Sequence, residues 1–180
     1  MAHNRHMLGY AAMMTGQSEL ALTHIQAMVA EIPKDWLKEN AVFADAFIAM
    51  PYEALARFGR WEQILSQPEP AAFLPFTRSL RHAARSIAHA AMGDSAAARA
   101  EQAVFREARK SVPDDWVIGN NACADVLELM SHMLEGEILY REKKIDEALA
   151  ELRKAAALED GLKYDEPPGW ILPVRHSLGA

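Results

Sequence analysis

The sequence predicts an all-α chain built from antiparallel helix pairs, and three observations carry that prediction. Hydrophobic residues make up 51% of the 180, much of it alanine mixed with Leu, Glu, Arg and Met. That mixture favours helix, and no segment sustains the alternation of a strand. Glycine and proline recur at intervals that cut the chain into helix-length stretches. Finally, Gly136 to Asp160 reads as two short amphipathic helices around a tight basic turn. Gly136 stands where those helices must approach, and Ala148, Leu152 and Ala155 recur at helical spacing on the second.

The same punctuation places four pairs, at approximately 3–31, 41–66, 73–110 and 121–158, and a partial fifth at 173–180. In the first, a helix from His3 to Thr15 turns at Gly16-Gln17-Ser18, with Ser18 expected to cap the helix that continues to Glu31. The second runs from Ala41 to Phe58, turns at Gly59-Arg60, and has a stunted partner from Trp61 to Ser66, cut by Pro68 and Pro70. Pro51 is expected to kink the longer helix or to start a new segment. The third pair spans Phe73 to Met92 and Ser95 to Lys110, with Ser86 and Ala98 in the small-residue places. The fourth begins near Asn121, and Pro173 to Ala180 looks like an opening helix stopped short.

A longer unit is superimposed on the pairs. Pro33, Asp35, Trp36, Asn40, Ala44, Asp45 and Met50 are matched by Pro113, Asp115, Trp116, Asn120, Ala124, Asp125 and Met130, seven identities at an offset of 80. Pro-x-x-Trp appears a third time at Pro167 to Trp170. Each of these indoles is expected to plug the gap between successive hairpins and pin a long linker.

Composition excludes several classes of function. The formal net charge is -6 with no run of Lys or Arg, which is not the electrostatic footprint of a nucleic-acid binder. One cysteine, Cys123, rules out an internal disulfide framework and a thiolate zinc site within one chain. No apolar run approaches a bilayer span and no signal peptide is visible, so no membrane partner and a cytoplasmic location are expected. No phosphate loop, Gly-x-Ser-x-Gly or His-Glu-x-x-His occurs, and no cofactor or catalytic residue is expected.

Gly136, Ala148, Leu152 and Ala155, with Leu8-Gly9, Ala21, Ile25 and Pro33 in the first pair, resemble the tetratricopeptide (TPR) repeat. His3 to His6, Phe58-Gly59-Arg60-Trp61-Glu62 and Tyr164 to Ala180 resemble internal segments of long bacterial TPR proteins. The resemblance covers essentially the whole chain. It is strong in the first and fourth pairs and weak in the second and third. It implies a right-handed α-solenoid, further repeats flanking both ends, and a chain that is part of a longer protein.

The resemblance also assigns groove-lining positions: His3, His6, Tyr10, Met13 and Met14 in the first repeat, Glu53 and Arg57 in the second, and Met130, Met133, Glu137, Tyr140 and Arg141 in the fourth. Glu53–Arg57 and Glu137–Arg141 are i, i+4 pairs in the favourable orientation, expected to support their helices and to offer guanidiniums for a carboxylate or phosphate. The Lys and Asn positions of chaperone-tail-binding TPR domains are occupied here by His6, Tyr10 and Met13, then by Ala49, Glu53 and Ala56, so that partner is not expected. His3 and His6 share a helical face, although no further ligand lies nearby in sequence. Cys123, between two alanines, is expected to be a buried, inert thiol.

These readings predict a non-catalytic scaffold that binds a protein or peptide partner in a concave groove. The alternative is a small-molecule or metal site at the N-terminal end of that groove, centred on His3, His6 and Tyr10 and extending to Arg57, within a larger enzyme. A homodimer through exposed repeat ends is a further expectation.

Overall fold

A computed structural model of the chain describes residues 2–179. It is all-helical but for one small hairpin, and its helices pack in chain order. The first pair is α1 (Ala2–Met14) and α2 (Ser18–Ala30), followed by a short α3 (Lys34–Glu39). Then come α4 (Ala41–Arg57) with the stunted α5 (Trp61–Ser66), and α6 (Pro75–Ala91) with α7 (Ser95–Ala108). The two-residue strands β1 (Val117–Ile118) and β2 (Asn121–Ala122) precede α8 (Cys123–Arg141), α9 (Ile145–Asp160) and the brief α10 (Val174–Leu178). Within pairs α1 packs on α2, α6 on α7 and α8 on α9; between pairs α2 meets α4, α4 meets α6, and α6 meets α8.

Small residues set how closely each pair packs. A Cβ added at Gly136 would lie 2.7 Å from Leu152 Cγ and 3.1 Å from the Ala148 carbonyl oxygen, and one added at Gly9 would lie 2.6 Å from Ile25 Cγ1. In α6 the equivalent place is held by Ser86, whose hydroxyl donates to the Ala98 carbonyl at 2.6 Å. Four helices, α1, α4, α6 and α8, end alike. Gln17, Arg60, Asp94 and Lys144 donate their N–H groups to the carbonyls of Ala12, Leu55, His89 and Leu139. Each follows a residue in the left-handed region: Gly16, Gly59, Gly93 and Lys143. This wrap satisfies carbonyls that a helix end leaves without partners.

A polar crossing recurs at a spacing that sequence inspection had missed. His82 meets Glu101 at 2.7 Å, His132 meets Glu151 at 2.6 Å, and Arg5 reaches His24 at 3.5 Å. In each case the first residue lies four before the small residue of its helix and the second nineteen further on. The larger ion-pair cluster joins α7 to α8, where Arg99 binds Glu135 and Glu142, both at 2.8 Å. Those bonds hold the Glu142 carboxyl down at about 2.

Several local expectations are corrected. Ser18 is the first residue of α2 and no side chain caps that end. Pro51 lies inside one continuous helix and starts no new segment. The fourth pair starts at Cys123, because Asn121 and Ala122 form a strand pairing Val117 with Ala122 and Ile118 with Asn121. The linker after Pro33 is a helix, α3, which buries Leu37 against Ala44 and Leu74. Of the Pro-x-x-Trp indoles only Trp170 is a buried plug; Trp36 is 44% exposed, and Trp116 is half-buried. Ala180, the last residue of the expected fifth repeat, lies outside the described residues.

Asp45 ties the second pair to the third. Its carboxylate is buried at the start of α6, accepting from the Phe76 and Thr77 N–H groups at 2.7 and 3.1 Å and from the Thr77 hydroxyl at 2.6 Å. Burial nevertheless pushes its pKa up to about 6, against the pull of those bonds. Asp125, its counterpart 80 residues on, is exposed. The sequence repeat therefore does not carry this role with it.

The tight crossing at Gly136 has a measurable consequence. Gly136→Val forces two branches into the space held by Leu152, and an overpacked site of this kind costs roughly 1–3 kcal/mol. Urea denaturation should show a lower midpoint by a corresponding amount, with the helical signal retained at zero denaturant.

Candidate functional site

The face shared by α4, α6 and α8 carries most of the residues expected to line a groove, and the chain's own C-terminal segment lies on it. After α9 the backbone leaves as an extended strap and is clamped by the tip of the β hairpin. Asn121 accepts from the Lys163 N–H at 2.7 Å and donates to the Lys163 carbonyl at 3.0 Å and the Asp165 carboxylate at 2.8 Å. Asn120 adds its backbone N–H to the same carboxylate at 3.0 Å and its amide to the Tyr164 carbonyl at 2.9 Å. Gly119, at φ +56°, brings the turn so close that a Cβ there would lie 2.5 Å from the Asp165 oxygens.

Beyond the clamp, Trp170, Ile171, Leu172 and Val174 are all buried. Trp170 and Leu172 line one small gap together with side chains of α4, α6 and α8, among them Tyr52, Leu80, Ile87 and Met130. Burying each large apolar side chain stabilises by about 1.5–3 kcal/mol, so the strap is part of the core and not a loose tail.

Glu53 is altered most by this arrangement. The expected Glu53–Arg57 ion pair does not form. Glu53 instead turns inward, 4% exposed, and its carboxyl accepts the Ile171 N–H at 3.1 Å. Desolvation raises its pKa from an ordinary 4.5 to about 8, only partly offset by that one bond. The paired expectation at Glu137–Arg141 does hold, with the two side chains in direct contact.

The strap leaves one end of the face open. Arg57, Met133, Glu137, Tyr140 and Arg141 surround a pocket of about 270 Å³ with Trp61, Leu172 and His176. Five candidates from two helices that are 76 residues apart (Arg57 to Met133) thus meet in one place. Arg57 has no carboxylate partner among the described residues, whereas Arg141 shares its charge with Glu137. Tyr140 is 48% exposed and presents its ring and hydroxyl at the rim.

The N-terminal candidates lie elsewhere. Met13 is fully buried and Tyr10 packs against the core, so Met13 is a packing residue and lines no groove. His3 and His6 line a separate apolar cleft of about 230 Å³ with Met28, Ile32, Trp36, Phe43 and Phe47, without Tyr10. Among the described residues no three His, Cys, Asp or Glu side chains are arranged to hold a metal ion. Cys123 is buried and its thiol pushed up to about 12, chiefly by desolvation, which leaves almost no thiolate at neutral pH. No described helix is long and apolar enough to cross a membrane.

The strap itself was missed by sequence reading. Its signal was the third Pro-x-x-Trp with Ile171 and Leu172, an apolar run flanked by prolines and too short to be a helix. No protein-family profile matches this chain, and no match stands out among curated proteins or among solved structures.

Glu53 makes the stability pH-dependent in a definite direction. Its folded pKa exceeds its unfolded value, so between about pH 4.5 and pH 8 the folded chain retains a proton that the unfolded chain releases. Stability therefore falls as pH rises through that window. Glu53→Gln keeps an acceptor for Ile171 and removes the titration. Urea midpoints at about pH 5 and pH 8 should differ less for the variant than for the unaltered protein; an equal slope would show that Glu53 is not the group responsible.

Proposed function

We propose that this chain is a non-catalytic helical-repeat scaffold of the TPR type. On this reading its stacked pairs form a right-handed solenoid, and a protein or peptide partner binds in the concave groove. The repeated polar crossings and the glycine, serine and alanine contacts support the repeat reading. The partner reading rests on one observation: Arg57, Tyr140 and the Glu137–Arg141 pair surround a pocket at the edge of the strap, where Leu172 forms part of the wall.

The pocket suits an acidic group on an extended chain. A lone guanidinium at its wall binds a carboxylate through two parallel N–H bonds, which a lysine cannot reproduce. Met133 and Leu172 supply an apolar floor that accepts varied side chains. The strap already demonstrates the apolar half of such recognition, since Trp170 and Leu172 hold an extended segment against α4, α6 and α8. A partner peptide would continue that line with a carboxylate on Arg57.

Arrays of peptides with free carboxylate or carboxamide ends, scored by fluorescence anisotropy, test the proposal. Peptides bearing a carboxylate should bind, and Arg57→Ala should weaken them about tenfold or more, the worth of a charge-assisted hydrogen bond. Arg57→Lys should recover only part of the loss. Binding that is indifferent to the carboxylate and to Arg57 would overturn the reading.

A further inference from the structure

Two parts of the chain build the pocket around Arg57. The helices supply Arg57, Trp61, Glu137, Tyr140 and Arg141 among others, and the C-terminal segment supplies Leu172, His176 and Ser177. His176 and Ser177 belong to α10, and Leu172 lies on the strap that leads into it.

The seat of the strap is continuous with this pocket. Ala56, Ile87 and Leu172 line both the pocket and the small gap beside Trp170. On α4, Glu53 accepts the Ile171 N–H at 3.1 Å, and Arg57 stands one turn further along the same helix. At the other end of the segment α10 is tied back to α9. The Val174 N–H donates to the Glu159 carboxylate at 3.2 Å, and the Arg175 guanidinium bonds Asp160 at 2.8 and 2.7 Å. Trp170 is buried and lines the gap but not the pocket. It holds Leu172 in place from outside the site.

Without this wall Arg57 would stand on an open helix face. An ion pair there is screened by water and worth little, whereas the same pair beside excluded solvent is stronger. A partner could displace the strap or bind beside it. Displacement forfeits the burial of Trp170, Ile171, Leu172 and Val174, which the newcomer must replace side chain for side chain. Binding beside the strap keeps that burial and uses Leu172 as a contact.

The geometry points to a composite site, which rests on the carboxylate-binding role proposed for Arg57: a peptide carrying a carboxylate binds between Arg57 and the C-terminal segment, binding and strap seating stabilise one another, and Trp170 is the positioning residue. Such coupling is reciprocal, so a peptide that needs the seated strap also holds it seated. An opening of the strap that expels the peptide becomes rarer by the factor 1 + [L]/Kd. The Ile171 amide reports that opening, because its bond to Glu53 breaks when the strap lifts.

Hydrogen exchange and fluorescence anisotropy, with the tightest-binding carboxylate peptide of the array described above, test this coupling. At ten times its Kd the peptide should slow exchange of the Ile171 amide about tenfold. Trp170→Ala should weaken the peptide by about tenfold or more with the helical circular dichroism retained, and Trp170→Phe should recover much of the loss. The variants decide the matter where Ile171 exchanges only on global unfolding, and the exchange of the unaltered protein decides it where Trp170→Ala folds poorly. A peptide that depends on Arg57 yet leaves Ile171 exchange unchanged or faster, or that binds Trp170→Ala with undiminished affinity, would overturn the coupling and leave the groove reading standing. Absence of any Arg57-dependent binding to the unaltered protein would remove both.

Discussion

The close approach of paired helices at a small residue governs the rest of this structure. At Gly136 and Gly9 no side chain separates the crossing helices, and at Ser86 the only group between them bonds the opposite backbone. Such contact fixes the axes, and with them the positions four residues before and fifteen after each crossing. Those positions carry the His82–Glu101, His132–Glu151 and Arg5–His24 contacts. A bulkier residue at the crossing would push the helices apart and unlock the polar pair as well. The ion pairs are therefore consequences of the packing and stabilise it modestly, as partly exposed pairs do.

The strap from Gly161 to Pro173 gives the α4, α6 and α8 face its present form. Its apolar half replaces solvent over that face, and its polar half is held at Asp165 by Asn120 and Asn121, more than 40 residues away in sequence. The cost of covering α4 falls on Glu53, which loses its water and gains a single backbone donor in return. A carboxyl so placed is stable only while protonated over most of the neutral range. Beside Arg57 and Arg141 that face keeps a pocket of about 270 Å³, walled in part by Leu172 of the strap.

Two pockets of different lining result, one at each end of α4. The pocket at Arg57 is lined by charged side chains, Arg57, Glu137 and Arg141, and bordered by Leu172 of the strap. The cleft at His6 is lined mainly by apolar and aromatic side chains, with His3 and His6 among them. They share no lining residue.

The sequence by itself determined the helices and the contacts that depend on local spacing. The turns at Gly16, Gly59 and Gly93 and the Glu137–Arg141 pair rest on i, i+4 or single-turn relations, and the small residues at the crossings on the spacing within one hairpin, which helix geometry allows wherever no distant segment intervenes. Burial of Cys123 could be read in the same way from its neighbours. Only the tertiary structure decided Glu53, Met13 and the tryptophans, because their environments come from segments far away in the chain. Glu53 and Arg57 have the same spacing as Glu137 and Arg141, yet the strap draws Glu53 inward and leaves Arg57 alone. Trp36 and Trp116 share a motif 80 residues apart, yet they differ in exposure because their neighbours differ, Phe43 against Cys123. Periodicity describes what a residue does within its own helix; which surface covers it depends on long-range contacts that no local spacing encodes.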